Sequence, residues 1–282
     1  MKRVLLLIVA VSLTVFTFAQ DAAEKLTQAQ EALKAEDYAK AYQLYDEAMN
    51  NLGEVQVDDA INFNIGYAAY KAENLEGAVK YLNKAIGIGT NVSKCYEYLA
   101  LAYNDKKDYA NAVTNFEKAI ETSEENTDAL VYNAAIAAYR AKMMDKAVEL
   151  FGKSVENSYK GETAIYYKAA ALKQLNKDDE YKATLEEGAE KFPGDKNIAP
   201  ALANIYVSEG NDLYKKGAAI ITAANEKISA GSLKTTDAGY TSEVDKAKVE
   251  FKAAVEVLEK AKELDASNEN AQKLLDACKG LL

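Results

Sequence analysis

Four stretches of this chain carry the same arrangement of small and large residues at a nearly constant interval. They are residues 37–48, 74–85, 108–119 and 143–154. Each has a small residue, a large apolar or aromatic one four later, and a small one three after that. The triplets are Ala41/Tyr45/Ala48, Ala78/Leu82/Ala85, Ala112/Phe116/Ala119 and Ala147/Phe151/Ser154, and their first members are 37, 34 and 35 residues apart. Steps of four and three place a triplet on one face of a helix. Its small residues admit a neighbouring helix, and the large one fills the remaining gap. A further small residue (Ala29, Gly66, Ala100 or Ala135) stands twelve positions before each triplet, where a partner helix would cross. Repeats of this length form stacks, because no single unit can bury its own apolar face.

Composition fits helices and nothing else. There are 2 prolines in 282 residues, against abundant alanine, glutamate, lysine and leucine, the better helix formers. Short polar turns such as Lys106-Lys107-Asp108 separate the two helices of a unit.

Over residues 22–157 this pattern resembles the tetratricopeptide-repeat (TPR) family, whose 34-residue unit is a pair of antiparallel helices. The family's first-helix tryptophan is missing; Lys25, Asn62, Tyr96 and Val131 occupy its place. The resemblance implies an all-α, right-handed α-solenoid of about five to six helical hairpins with a C-terminal capping helix. A degenerate fifth repeat follows, with helices over 162–175 and 178–191 and Tyr181, Leu185 and Gly188 at the triplet positions. Phe192-Pro193-Gly194-Asp195 resembles the family's inter-repeat turn, since proline cannot continue the helix. Ala254, Leu258 and Ala261 form a last triplet. The intervening length reads either as one long hairpin spanning 196–264 with a loop at 229–242, or as two ordinary repeats turning at Gly210-Asn211. Residues 20–195 would then hold repeats one to five, and 265–282 the cap, with Ser267 or Asn268 capping its helix.

Residues 1–19 read as a secretory signal peptide: Lys2 and Arg3, an apolar run from Val4 to Phe18, then Ala19 before a cleavage at Gln20. The run is shorter than the ~20 residues of a spanning helix; an uncleaved anchor is the alternative. The segment resembles those of Gram-negative envelope proteins, so the expected location is the periplasm or outer envelope. The formal charge is -10, and cleavage would remove two cations and no acid. Such a balance repels phosphate backbones and disfavours nucleic acid as a partner. Cys95 and Cys278 sit too far apart along a stack for a bridge, so buried free thiols are expected.

Histidine is absent, which removes Ser-His-Asp and Cys-His catalysis and histidine-bound metal. No glycine-rich phosphate loop occurs, and the carboxylates are spread along solvated helical faces. No cofactor, metal or catalytic residue is expected. Residues 265–270 lack the glycine and terminal glutamate of a calcium loop. Asn91-Val92-Ser93 matches a glycosylation sequon.

In the resembled family the first helix of each repeat lines a concave groove. Carried over, the groove positions are Phe63, Tyr67 and Tyr70 in repeat two, and Tyr98, Leu101 and Asn104 in repeat three. In repeat four they are Tyr132, Asn133, Ile136, Tyr139 and Arg140, and in repeat five Tyr166, Tyr167 and Lys173. Tyrosine suits an interface, bringing a large ring at low entropic cost and a hydroxyl for a backbone partner. The alternative is that the rings merely fill space between helices. The expected function is a non-enzymatic protein- or peptide-binding scaffold of the cell envelope, with self-association through the long C-terminal hairpin as the other reading.

Overall fold

The computed structural model describes residues 20–53 and 55–282, so the proposed signal segment lies outside the described residues. Thirteen helices are present among them, the first covering residues 20–34 (α1). Then come α2 (Tyr38–Met49), α3 (Ile61–Lys71), α4 (Leu75–Ile88), α5 (Val92–Asp105), α6 (Tyr109–Glu121), α7 (Asp128–Arg140) and α8 (Met144–Glu156). The remainder are α9 (Gly161–Gln174), α10 (Asp178–Lys191), α11 (Ile198–Ser229), α12 (Ala238–Leu264) and α13 (Glu269–Lys279). None of the described helices is long and apolar enough to cross a membrane.

The chain divides into two compact units between Tyr159 and Lys160, inside the expected 20–195 block. In the first unit, α1–α2, α3–α4, α5–α6 and α7–α8 are successive hairpins. Every residue of the four triplets is buried. So are Ala29, Gly66, Ala100 and Ala135. Gly66 shows why the crossing residue must be small: a β-carbon there would lie 2.6 Å from Leu82 Cγ. One core joins Ala29 of α1 and Ala41 and Tyr45 of α2 to Ile65 of α3 and Tyr81 of α4, so each hairpin completes the core of its neighbour.

The turns repeat as faithfully as the helices. Residues Glu36, Glu73, Lys107 and Lys142 all have positive φ, between 58° and 63°, the left-handed step that redirects the chain. The next residue caps the second helix. Asp37 accepts from Lys40 N, Asn74 from Gly77 N and Asp108 from Asn111 N, satisfying a free first-turn donor. In the fourth hairpin this place falls to Met143, which makes no side-chain cap.

The second unit begins with the ordinary hairpin α9–α10. At Gly188 a β-carbon would lie 2.6 Å from Ile165 Cγ2 and 3.1 Å from Ile198 Cγ2, which is why glycine takes the third triplet position. The Pro193 turn follows, and Asp195 Oδ1 accepts from the backbone N–H of Asn197 and of Ile198 at 2.9 and 2.8 Å. Pro200 sits in the first turn of α11, where a missing N–H costs no helical bond.

Helix α11 runs unbroken for 32 residues, through Gly210 and Gly217, so there is no turn at Gly210-Asn211. Its connection to α12 covers residues 230–237, shorter than the expected 229–242 because α12 already begins at Ala238. The two helices meet along a seam with a seven-residue period. Ala203, Gly210, Gly217 and Ala224 are all buried on α11. Facing them, Ala247, Phe251, Ala254, Leu258 and Ala261 are buried on α12 at alternating steps of four and three, the spacing of an antiparallel coiled coil. Helix α13 covers the end of this hairpin: Leu275 and Cys278 join Ala254 and Leu258 in one core, and Asn268 caps it by accepting from Ala271 N. Both cysteines are buried and free.

Candidate functional site

The first helices of repeats two and three carry an aromatic face. Phe63, Tyr67 and Tyr70 recur at steps of four and three on α3, and Tyr98 projects from α5 beside them. All four are half-buried, and Phe63, Tyr70 and Tyr98 also pack against the core formed by Ala69, Ala78 and Leu82. The rings touch in sequence: Phe63 and Tyr67 stack with centroids 6.5 Å apart, and Tyr98 lies 6.0, 5.0 and 5.5 Å from Phe63, Tyr67 and Tyr70. Tyr38, the first residue of α2, extends the face edge-on to Tyr67 at 5.8 Å. Contacts of this kind add to simple burial and hold the rings in place.

Hydrogen bonding to Tyr67, then burial, pushes the Tyr38 phenol up to about 12. Burial, then the charge of Asp105, raises that of Tyr70. Beside Tyr70 a 270 Å³ pocket opens, lined by Glu73, Leu75, Ala102, Asp105 and Lys106.

The remaining positions are placed less uniformly. Leu101 is half-buried, and Asn104 accepts a hydrogen bond from Arg140 at 3.4 Å. The Arg140 guanidinium also lies 5.8 Å from the centre of the Tyr109 ring, as Lys71 lies 5.1 Å from that of Tyr38. Ile136 and Tyr139 are half-buried and Asn133 is exposed. Tyr132 departs from the expected groove. It is buried, 8% exposed, with its ring edge-on to Phe151 and Tyr159 at 6.1 and 6.0 Å. It stands three residues before Ala135, on the side of α7 that meets α8, so it is core.

In the second unit Tyr166 and Tyr167 meet edge to face at 5.6 Å, and Lys173 sits 5.2 Å above the Tyr181 ring. Tyr166, Lys173 and Tyr181 open onto a cleft between α9, α10 and α11. The carry-over of first-helix positions passed over Tyr38 and Tyr109, which start second helices. Their signal was the repeated Asp-Tyr that opens residues 37–48 and 108–119. Among the described residues no group of three or more acidic or sulfur side chains is set to hold a metal.

No protein-family model matches the chain, and no curated protein does. Solved structures do. The C-terminal part of a TPR repeat-containing protein from Cytophaga hutchinsonii is 15% identical over 89% of this chain and 99% of its own, with a TM-score of 0.50. A tetratricopeptide-repeat protein from Parabacteroides merdae is 18% identical over 92% of this chain and 99% of its own, at 0.47. A TPR repeats protein from Bacteroides fragilis is 19% identical over 93% and 99%, at 0.38. With the hairpins, triplets and crossing residues above, the first of these establishes the fold: an all-α solenoid of the tetratricopeptide-repeat kind.

Proposed function

We propose that the protein is a non-enzymatic, protein-binding scaffold of the cell envelope. The observation that carries this reading is the aromatic face of the first unit. Five aromatic side chains from α2, α3 and α5 form a continuous, half-exposed surface on rigid helices. A merely solvated helical face would be charged, whereas preorganised tyrosine is the material of interfaces. Asn104 and Arg140 add polar groups at its far side, so the face suits a peptide or helix that brings both apolar and polar groups.

Self-association through the long hairpin has less support, because the apolar seam of α11 is filled by α12 within the same chain. Envelope location rests on residues 1–19 and their signal-like pattern.

Crosslinking in intact cells tests the scaffold reading, with the tagged full chain beside a Tyr67→Ala/Tyr70→Ala variant. Partners captured by the first and lost from the second are expected; identical captures would remove the aromatic face from the function. Fractionation with N-terminal sequencing tests the location. A chain starting at Gln20 in the envelope fraction is expected, and a cytosolic chain retaining Met1 would overturn it.

A further inference from the structure

The second unit contains a recess of about 650 Å³ between the hairpin α9–α10 and the helix α11 that follows. That volume is within the range of ligand sites. The apolar part of its lining, the floor, is Ala169 and Ala170 of α9, Leu185 of α10 and Ala201 and Ile205 of α11, with Asn204 and Ser208 of α11 beside it. Tyr166 and Tyr181 are the aromatic part of its lining. The floor is open because small residues stand on both flanking helices, so no side chain fills the gap that α11 leaves beside α9.

The charged groups around this cleft are unbalanced. Asp178, Asp179, Glu209 and Asp212 face two lysines, Lys173 and Lys182. Lys182 is already engaged: its Nζ lies 2.7 and 2.9 Å from the two carboxylate oxygens of Glu209. Lys173 is drawn over the Tyr181 ring. Asp178 and Asp179 at the start of α10 remain exposed at the mouth, and so does Asp212 on α11, whose carboxylate lies 3.8 Å from the exposed Lys215, on a chain of net charge -10. Field lines from such a rim concentrate in a low-dielectric cleft and draw in cations.

We propose that this cleft binds a basic peptide segment. A lysine or arginine of the segment meets Asp178, Asp179 and Asp212, and flanking apolar side chains pack on the alanine floor and the Tyr166 and Tyr181 rings. The proposal rests on the reading of the chain as a protein binder and adds to it a second site with a defined class of partner.

The test is fluorescence anisotropy with the full chain and two labelled octapeptides, one of lysine, leucine and glycine, the other with glutamate in place of lysine. The lysine peptide is expected to bind and the glutamate peptide not to. Asp178→Asn/Asp179→Asn/Asp212→Asn should weaken binding by about tenfold, the sum of three exposed ion pairs. Ala170→Phe, which fills the floor without changing charge, should abolish it, with helicity by circular dichroism retained in both. Equal binding of the two peptides, no binding of the lysine peptide at millimolar protein, or binding indifferent to both variants would overturn the proposal. Loss of binding only in Tyr67→Ala/Tyr70→Ala would also overturn it, while leaving the first unit's role as a binding face intact.

Discussion

Gly210 lies against Leu258 so closely that a β-carbon on the glycine would come 2.5 Å from the leucine Cγ. Gly66 and Leu82 stand in the same relation, sixteen residues apart, and Gly210 and Leu258 are forty-eight apart. The last hairpin is therefore an ordinary repeat whose two helices have been lengthened beyond the crossing point.

This contact decides the sign of a common stabilising substitution. Gly→Ala inside a helix gains about 1 kcal/mol of propensity. At Gly210 the gain is opposed by overpacking of a fully buried leucine, which costs about 1–3 kcal/mol. Gly210→Ala, and Gly217→Ala beneath Phe251, are expected to lower the urea midpoint. Gly152→Ala in α8 is expected to raise it, through a gain of about 1 kcal/mol in stability, because nothing lies within 4 Å of its missing β-carbon. Equal effects at Gly210 and Gly152 would show that the seam has slack.

How far the sequence could be read follows from the same residues. The triplets were legible because each combines a period with a size rule, and both act locally. Glycine was not, since Gly210 in the sequence signals a turn as readily as a close contact. Only the partner, Leu258, distinguishes the two, and it is forty-eight residues away. The seven-residue recurrence of Ala203, Gly210, Gly217 and Ala224 is visible in retrospect, but small residues at that spacing acquire meaning only against the large ones on α12. The aromatic face was half legible. Tyr67 and Tyr70 follow from the helical period, whereas Tyr132 needed the neighbouring helix to show that its ring points inward. Tyr38 joins the face through the turn before α2, a relation that first-helix periodicity does not contain.

Ser154 is the one small triplet member with a polar side chain. It is fully buried, and its hydroxyl finds no hydrogen-bond partner. Alanine holds the equivalent place in the three preceding hairpins. Ser154→Ala should therefore stabilise the first unit by about 1 kcal/mol, the cost of an orphaned buried hydroxyl. Thermal unfolding followed at 222 nm measures this, and a lowered midpoint would mean that the hydroxyl has a role in the folded chain.

Met143 occupies the cap position that Asp37, Asn74 and Asp108 fill in the three preceding hairpins, and it is 40% exposed. Met143→Asp gives α8 an acceptor for its first-turn N–H groups without displacing anything buried. A gain of about 1 kcal/mol is expected, read as a shift in urea midpoint that is absent in Met143→Ala.

Asp46 ties α2 to α4. It accepts from Lys80 Nζ at 2.8 Å and from Tyr81 Oη at 2.6 Å. Burial alone would raise its pKa, but these bonds and the Lys80 charge outweigh it and hold the carboxyl below its ordinary value. A depressed folded-state pKa favours folding above the unfolded pKa, and that contribution disappears as pH falls through the folded value. The first unit should accordingly lose stability on acidification below the usual carboxylate range, and Asp46→Asn should flatten that part of the profile. An unchanged acid limb in the variant would assign the loss to other carboxylates.

Tyr132 and the Tyr67/Tyr70 pair separate structure from recognition. Tyr132 fills space between α7 and α8 against Phe151 and Tyr159, so Tyr132→Ala leaves a cavity and should cost about 3 kcal/mol. Whatever binding it loses would follow the loss of fold and return on cooling to where the variant is folded. Tyr67→Ala/Tyr70→Ala removes rings that are half-exposed, so the cost in stability is smaller and the loss of partner capture should persist at every temperature where the chain is folded. Unfolding and capture measured on the same preparations make the comparison. If Tyr132→Ala abolishes capture at full helicity while Tyr67→Ala/Tyr70→Ala does not, the working surface lies around α7 and the face built on α3 and α5 is packing.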